Sequence, residues 1–316
     1  VDWASLSDAE KQYESKKMAV YAGMVDAMDF HIGRLVTYLK ETGEYDHTIF
    51  IFTSDNGPAC TDVDSNPRAL ERLYLKLWMK ANGYNRDYET LGTRGSYINM
   101  GMTFASSAGA PLAYFKFWVG EGGMRVPLII SGKGIPEKGK MSNAFTYVTD
   151  ITPTNLDIAG VTPHQGSYKG RRIEPMIGKS LLPLAKGEAE RVYHEDETIG
   201  YELTGHAALF KGDYKIVKNR SPVGDNAWHL FNIVDDPGET RDLKEDMPER
   251  FKEMMADYGT YVSDNNVLPV PEDYEYFNAL RSYATRSQLK AHWQAYALAG
   301  VAIIGLIGFF IIRRFN

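Results

Sequence analysis

The sequence predicts an α/β protein with a small antiparallel domain in its later part. A long amphipathic helix over residues 5–43 precedes a short apolar run, residues 49–52, and this order is typical of an α/β unit. Farther along, two short strand-like segments flank Lys211-Gly212-Asp213, which is the pattern of a β-hairpin. We therefore predict an α/β domain over residues 1–190 and a sheet-plus-helix domain over residues 191–263.

Composition and charge exclude several classes of protein. Apolar residues make up 44% of the chain and charged residues 24%, which is typical of a folded rather than a disordered protein. The net charge is −6 and no basic stripe is present, so we expect no nucleic acid partner. Cys60 is the single cysteine, so the chain forms no internal disulfide and no metal site from cysteine.

The first strand leads to a candidate metal site. Residues 49–52 are β-branched or aromatic, and we predict that this strand is buried on both faces. The strand ends at Ser54, so that Asp55 and Asn56 lie at its carboxyl end, where open α/β sheets bind ligands. A carboxylate beside a carboxamide provides the hard oxygen ligands that Ca²⁺ or Mg²⁺ prefers. The alternative is a plain turn that closes the strand.

Hydrophobic periodicity predicts the remaining helices and strands. In the first domain it predicts a helix over residues 67–82, an irregular segment over 83–115, a buried strand over 126–130 and a helix over 150–160. In the second domain it predicts strands over residues 207–210, 214–217 and 228–231 and a helix over 248–262. The irregular segment is long for a compact domain, which is typical of a functional loop.

The C-terminal region predicts a membrane anchor. Residues 295–312, from Ala295 to Ile312, are apolar and uncharged, and two arginines follow them. We predict a transmembrane helix over residues 293–314 after a tether over 264–292; the alternative is a buried core helix. Because positive charge favours the cytoplasmic side, we expect a cytoplasmic C-terminus and folded domains on the extracytoplasmic, or periplasmic, side.

Two further side chains are candidates for contact with a substrate. Lys116 follows the irregular segment, where its ammonium group is a candidate point charge for an anionic group; the alternative is an ordinary solvated lysine. His206 precedes a predicted hairpin strand and is a candidate for lining the mouth of a substrate site.

Five motifs in a fixed order resemble the type I sulfatases, the formylglycine-dependent, arylsulfatase-like members of the alkaline phosphatase superfamily. The resemblance extends over most of residues 13–262. The motifs are Thr53-Ser-Asp-Asn-Gly57, Lys116-x4-Glu-Gly-Gly-x-Arg-Val-Pro127, the helix start Asp150-Ile-Thr-Pro153, Gly178-Lys-Ser-Leu-Leu-Pro183 and Leu230-Phe-Asn-Ile-Val-Asp-Asp-Pro-Gly-Glu239.

The resemblance implies a fold, a reaction and roles for named residues. The fold would be an alkaline-phosphatase-like sandwich, and the reaction would be Ca²⁺-assisted hydrolysis of a sulfate ester, with Mg²⁺ as the other possible metal. Asp55 and Asn56 would be metal ligands, and Lys116 would contact the sulfate and steady the leaving-group oxygen. Glu121 and Arg125 would form a structural turn.

The chain departs from that family in lacking its nucleophile motif, Cys-x-Pro-x-Arg. Cys60 is followed by Thr-Asp-Val-Asp and does not match it. The chain therefore resembles the C-terminal half of a sulfatase, with formylglycine expected in a missing N-terminal half, and alone it should be inactive. Val1 in place of an initiator methionine agrees with a longer polypeptide or a removed leader.

Three functions and two kinds of partner remain open at this point. The chain is a membrane-anchored sulfatase, a catalytically inactive sulfatase-like subunit of a membrane complex, or a phosphoester or phosphonate hydrolase of the same superfamily. The partners would be a separate N-terminal half or other subunits of a membrane complex.

Overall fold

The fold is described from a computed structural model that covers residues 3–61, 69–136, 139–164, 166–276, 278–280, 282–288, 290–294 and 297. The chain divides into two compact units, Val1–Tyr261 and Val262–Asn316. The helices and strands named below belong to the first unit, apart from the end of the last helix.

The predicted N-terminal helix is confirmed as α1 (Asp8–Glu41). Ser7 caps it, because its hydroxyl accepts from the backbone N–H of Glu10 while the Glu10 carboxylate accepts from the backbone N–H of Ser7. Gly43 follows the helix with φ of 75°, a conformation that glycine adopts readily and that ends the helix. Many apolar side chains of α1 are exposed in this structure, Phe30 and Leu35 among them.

The strand that leads to the candidate metal site is β1 (Ile49–Thr53), and it pairs antiparallel with β2 (Leu128–Gly132). Within the described residues these two strands form a sheet of their own, in which Ile51 lies opposite Ile130. The prediction that both strands are buried is wrong, since β1 is half-buried throughout and β2 is partly exposed. Within the residues that the structure describes, no element covers the exposed parts of this two-stranded sheet. β2 also starts two residues later than predicted, because Pro127 has no N–H to donate to the ladder.

In the described part of the chain, three α-helices lie between β1 and β2: α2 (Ala69–Ala81), α3 (Gly101–Gly109) and the single turn α4 (Glu121–Met124). The helix predicted over residues 67–82 is confirmed by α2 within the described residues. The prediction of an irregular segment over 83–115 is wrong for α3, whose glycines and serines are weak helix formers. Tertiary packing holds this helix, since Ala105 is fully buried.

The helix predicted from Asp150 is confirmed as α5 (Ile151–Ile158). The carboxylate of Asp150 is fully buried and accepts hydrogen bonds from the backbone N–H groups of Tyr147 and Lys179 and from the Tyr193 hydroxyl. Asp150 therefore fastens the start of α5 to the later segment. A short hairpin, β3 (Ser167–Tyr168) and β4 (Arg171–Arg172), and the turn α6 (Leu182–Ala185) follow.

A four-stranded antiparallel sheet in the order β5-β6-β7-β8 follows. Its strands and the helix after it are β5 (Thr198–Leu203), β6 (His206–Lys211), β7 (Tyr214–Lys218), β8 (Trp228–Asn232) and α7 (Pro248–Asp264). The three predicted strands and the helix are confirmed, while β5 was not predicted. Gly200 interrupts the β5 pattern, and it is required there because a Cβ would lie 2.4 Å from the Tyr261 ring.

The two faces of this sheet carry separate apolar clusters. On the helix face, Leu209, Ile216 and Leu230 pack against Met254 of α7. On the loop face, a second set packs with Val119, which belongs to the segment after Lys116: Ala208, Phe210, Val217, Phe231 and Ile233. Because successive side chains of a strand point to opposite faces of a sheet, consecutive residues within β6, and within β7, belong to different clusters.

The predicted transmembrane helix lies almost entirely outside the described residues, which include only Ala297 of the segment from Ala295 to Ile312. In the described part of the chain, no helix combines the length and the apolar character that a membrane span needs. Residues 282–288 of the second unit are helical.

Candidate functional site

The chain turns sharply after β1 and forms the Asp55 loop, residues 54–58. The Ser54 hydroxyl donates to the Asn56 carbonyl oxygen at 2.9 Å, and Asn56 Nδ2 donates to the Gly57 carbonyl oxygen at 3.0 Å. These bonds use the amide nitrogen of Asn56 inside the turn. Among the described residues no donor reaches Asn56 Oδ1 or the exposed Asp55 carboxylate, so both oxygens remain available to a ligand.

The structure brings the backbone of Lys116 to the Asp55 loop. Lys116 belongs to the Lys116 loop, residues 112–123, and its backbone N–H donates to the Pro58 carbonyl oxygen at 3.0 Å. At the end of the same loop, the Gly123 carbonyl oxygen accepts from the Gly57 N–H at 3.0 Å. Two backbone hydrogen bonds therefore join segments that lie far apart in the sequence.

Three glycines permit this contact. A Cβ on Gly57 would lie 1.8 Å from the Gly122 carbonyl oxygen, which no real side chain tolerates. A Cβ on Gly122 would lie 2.3 Å from the Tyr114 carbonyl oxygen, and one on Gly123 would lie 2.1 Å from the Trp118 carbonyl oxygen. Gly57 thus permits the close approach of the two loops, while Gly122 and Gly123 permit the tight fold of the Lys116 loop on itself.

Lys116 is half-buried between two strained residues. Tyr114 and Phe117 have φ of 67° and 86°, values that non-glycine residues rarely adopt. Such strain costs about 1–3 kcal/mol per residue and occurs most often at functional sites. In the described structure Lys116 Nζ forms no ion pair with a carboxylate, and it lies 5.8 Å from the centre of the Phe117 ring. Its charge is therefore available to an anionic group.

Cys60 lies behind this site and has no nucleophilic role in it. Its side chain is 5% exposed, and its thiol lies 3.8 Å from the Lys116 carbonyl oxygen. Burial raises the pKa of the thiol, which keeps Cys60 in the unreactive protonated form at neutral pH. This environment agrees with the absence of the nucleophile motif around Cys60.

The residues present fit part of a divalent-metal site. Asp55 and Asn56 offer oxygen ligands on adjacent residues, with no competing donor from the described chain. The described residues contain no cluster of three or more histidine, cysteine, aspartate or glutamate side chains that would hold a metal. Because Ca²⁺ takes six to eight oxygen ligands, the remaining ones would have to come from outside these two residues.

The structure does not support the prediction that His206 lines a substrate mouth. His206 is 5% exposed, and its Nδ1 accepts from the backbone N–H of Arg220 at 2.9 Å. Its ring packs on Trp118, with 5.7 Å between the ring centres. Burial, together with the charge of Arg220, lowers the pKa of His206 to about 4. His206 is therefore a neutral residue that packs behind the Lys116 loop.

Sequence reasoning missed two residues next to the site, Lys215 and Glu239. Lys215 is fully buried in β7, and its ammonium group contacts Glu121 and Glu239 on the loop face of the sheet. A lysine inside the apolar run Tyr214-Lys-Ile-Val217 is the signal that points to a buried ion pair. The predicted structural turn at Glu121 and Arg125 agrees with their contact at 2.7 Å.

The family model and the similar proteins found by comparison all concern sulfatases. The model of the Sulfatase family matches residues 4–161. An uncharacterised sulfatase of Schizosaccharomyces pombe is 32% identical over 274 residues, which cover 86% of this chain and 48% of the yeast protein. An arylsulfatase of Klebsiella aerogenes is 33% identical over 189 residues, which cover 58% of this chain and 38% of that enzyme.

A solved structure supports the fold. The crystal structure of Ps i-CgsB in complex with k-i-k-neocarrahexaose has a TM-score of 0.53 and 23% identity, and it covers 82% of this chain and 46% of its own. At that identity the similarity concerns the fold alone. The chain spans about half the length, or less, of the relatives it matches.

Proposed function

Because this chain belongs to the sulfatase family, we propose that it forms the metal- and sulfate-contacting part of a sulfuric ester hydrolase. The observation that carries the proposal is the pair of backbone hydrogen bonds between the Asp55 loop and the Lys116 loop. They hold the loop that carries Asp55 and Asn56 against the loop that carries Lys116, and within the described residues the Asp55 carboxylate, Asn56 Oδ1 and the Lys116 ammonium group have no ion-pair partner. Anionic esters are substrates that such a set of groups would bind.

Each of the three residues has a role in this proposal. Asp55 and Asn56 hold a divalent cation, Ca²⁺ or Mg²⁺, through their side-chain oxygens. Such a cation supplies positive charge that polarises a sulfate oxygen. The ammonium group of Lys116 binds the sulfate and stabilises the negative charge that develops on the bridging oxygen as the S–O bond breaks.

We propose that the nucleophile is a formylglycine in an N-terminal half that lies outside this chain. Two observations support this division. The chain spans about half the length of its relatives, and α1 exposes a row of apolar side chains that a folded protein normally covers. These exposed residues are Met24, Val25, Met28, Phe30, Ile32, Leu35 and Tyr38.

The metal-ligand assignment is tested by replacing Asp55 with alanine in the native-length protein. We expect Asp55→Ala to lose the bound divalent metal, measured by elemental analysis after gel filtration, since it removes the only carboxylate of the Asp55 loop. Asp46→Ala is the matched control, because Asp46 is exposed just before β1 and should leave the metal content unchanged. An unchanged metal content in Asp55→Ala would remove Asp55 from the site.

We also propose that the segment from Ala295 to Ile312 anchors the protein in a membrane, with the folded domains on the extracytoplasmic side. The support is its uncharged, apolar sequence followed by Arg313 and Arg314. A chain truncated before Trp293 should appear in the soluble fraction after cell lysis, while the complete chain sediments with membranes. Sedimentation of the truncated chain would contradict the anchor.

A further inference from the structure

Lys215 is a fully buried lysine on the loop face of the four-stranded sheet. Its Nζ lies 2.9 Å from Glu121 Oε1 and 2.8 Å from Glu239 Oε1, and none of its side chain is exposed. Burial lowers the pKa of a lysine, but the two carboxylates outweigh this effect and raise the pKa of Lys215 above its ordinary value. Lys215 is therefore charged and paired inside the protein.

The other polar atoms around Lys215 are also paired. Glu239 Oε2 accepts from the backbone N–H of Glu121 at 3.0 Å, and Glu121 Oε2 accepts from Arg125 Nε at 2.7 Å. Arg125 Nη2 donates in turn to the Ile233 carbonyl oxygen at 2.8 Å. Lys215, Glu121, Glu239 and Arg125, here called the Lys215 cluster, thus balance two positive against two negative charges.

The Lys215 cluster holds the end of the Lys116 loop. Glu121 is followed directly by Gly122, whose N–H donates to the Ala113 carbonyl oxygen at 2.6 Å and closes the loop. The next residue, Gly123, accepts from Gly57 of the Asp55 loop. A displacement of Glu121 therefore moves the bond that closes the Lys116 loop and the Gly57–Gly123 bond that joins it to the Asp55 loop.

The two residues directly after β7 add two contacts to the same loop. Asn219 Oδ1 accepts from the backbone N–H of Val119 at 2.9 Å, and the Arg220 carbonyl oxygen accepts from Trp118 Nε1 at 3.4 Å. The Lys116 loop is therefore hydrogen-bonded both to the residues that follow β7 and to the Asp55 loop.

Stability alone does not account for a buried ion cluster here. Well-packed apolar residues of similar volume are often as stabilising as a buried ion pair, because the charges lose their hydration. Charged hydrogen bonds are directional, however, and each fixes a distance and an angle between two groups. The Lys215 cluster accordingly sets where the backbone of Glu121 lies relative to β7.

We propose that Lys215 and Glu239 are positioning residues, which act through Glu121 to hold the Lys116 loop against the Asp55 loop. The catalytic consequence, correct placement of Lys116 for a sulfate bound at Asp55, rests on the proposed function. The other part of the proposal, which is structural, does not depend on any activity: the cluster controls how tightly the two loops pack.

Cys60 reports on this packing, because its buried thiol lies against the Lys116 carbonyl oxygen. The test compares the rate at which iodoacetamide labels Cys60 in the native protein and in Lys215→Met, with peptide mass spectrometry to locate the label. We expect Lys215→Met to label at least about tenfold faster under native conditions, since two carboxylates lose their partner and the loop opens more often.

The matched control is Lys211→Met on the opposite face of the same sheet. Lys211 Nζ lies 2.6 Å from Glu253 and 2.7 Å from Asp257 of α7, so this variant also removes two ion pairs from one lysine. Because Lys211 does not contact the Lys116 loop, its variant should label Cys60 at the native rate. Equal labelling rates in the two variants would overturn the proposal.

Glu239→Gln provides a second, milder variant if Lys215→Met does not fold. The two carboxylate oxygens of Glu239 accept hydrogen bonds from Lys215 Nζ and from the Glu121 N–H. A glutamine side chain has one oxygen in their place, so it keeps only one of these two bonds. Faster labelling of Cys60 in Glu239→Gln would support the proposal, and a native rate in a folded Glu239→Gln would contradict it.

Kinetics separate this proposal from the proposed function. In native-length protein that hydrolyses 4-nitrophenyl sulfate, Glu239→Gln should lower kcat by at least about tenfold at temperatures where it is fully folded, while Lys211→Met should not. If the native protein hydrolyses no sulfate ester, the proposed function fails, and the labelling rates still decide whether the cluster positions the loop. Faster labelling with unchanged kcat would limit the cluster to a structural role and overturn its positioning role in catalysis.

Discussion

Gly57 joins the two loops of the candidate site through its backbone. Its N–H donates to the Gly123 carbonyl oxygen, and its Cα lies so close to Gly122 that a Cβ would be 1.8 Å from the carbonyl oxygen there. The obstacle is steric, since Gly57 is absent from the residues with positive φ. The relative position of Asp55 and Lys116 therefore depends on a residue that has no functional group.

Replacing Gly57 with alanine tests this dependence. We expect Gly57→Ala to lower the free energy of unfolding by about 1–3 kcal/mol, because backbone must move to make room for the added methyl group. The measurement is urea unfolding followed by circular dichroism.

Gly259→Ala is the control for this substitution. Gly259 lies inside α7, where nothing comes within 4 Å of an added Cβ, and alanine there should stabilise the helix by about 0.5–1 kcal/mol. If both variants unfold at the same urea midpoint as the native protein, the close contact between Gly57 and Gly122 does not exist in solution.

At the scale of elements, His229 fastens β8 to the segments on either side of it. Its Nδ1 lies 2.7 Å from Asp242, and its Nε2 lies 3.0 Å from Asp225. Partial burial lowers the pKa of His229, but the hydrogen bonds and charges of the two aspartates outweigh burial and raise it. Lys244 also contacts Asp242, at 3.5 Å.

The raised pKa makes the stability of this element depend on pH. A histidine whose pKa is raised by folding stabilises the protein fully below its unfolded value of about 6.5, and the contribution is lost as pH rises through the raised folded value. Folding lowers the pKa values of Asp225 and Asp242 from the ordinary aspartate value of about 3.9. Both carboxylates are therefore charged throughout the pH range in which His229 loses its proton. We expect His229→Gln to lower the free energy of unfolding by about 1 kcal/mol near pH 5.5. At pH 9 the loss should be smaller.

The comparison needs a histidine without carboxylate partners. His31 on α1 contacts Arg34 and, within the described residues, no carboxylate, so His31→Gln removes no histidine–carboxylate pair and serves as the comparison at both pH values. Urea unfolding of the three proteins at both pH values gives the result. A loss in His229→Gln that is larger at pH 9 would contradict the assigned charge state.

The elements show why part of the fold follows from the sequence and part does not. α1, α5 and the hairpin β6–β7 have clear periodicity, caps and turn residues, and all were predicted close to their observed bounds. β5 was missed because Gly200 breaks its pattern, and the reason for that glycine, the Tyr261 ring, lies on a distant helix. Burial of β1 was overestimated, because a local sequence does not specify what covers a strand.

The same distinction applies to the candidate site. Asp55, Asn56 and Lys116 were predicted from a motif order that resembles a family, and the structure brings their loops together. Lys215 and Glu239 were missed, since only the three-dimensional arrangement shows that β7 presents its lysine to the Lys116 loop.

At the scale of the whole molecule, the exposed row on α1 and the half-buried β1 agree with a chain that provides one part of a larger fold. The family relatives are about twice as long as the segment they share with it. On our proposal, the second part provides the nucleophile and the remaining metal ligands, and its packing on α1 and β1 completes the protein.

The rate of 4-nitrophenyl sulfate hydrolysis by the native-length protein, compared with Lys116→Ala, tests this account most directly. We expect kcat to fall by at least about 100-fold in Lys116→Ala, because the variant removes a charge aimed at the transition state. Lys133→Ala, at the opposite end of β2, should keep the native kcat. Equal kcat values for the native protein and Lys116→Ala would contradict the site assembled from the Asp55 and Lys116 loops.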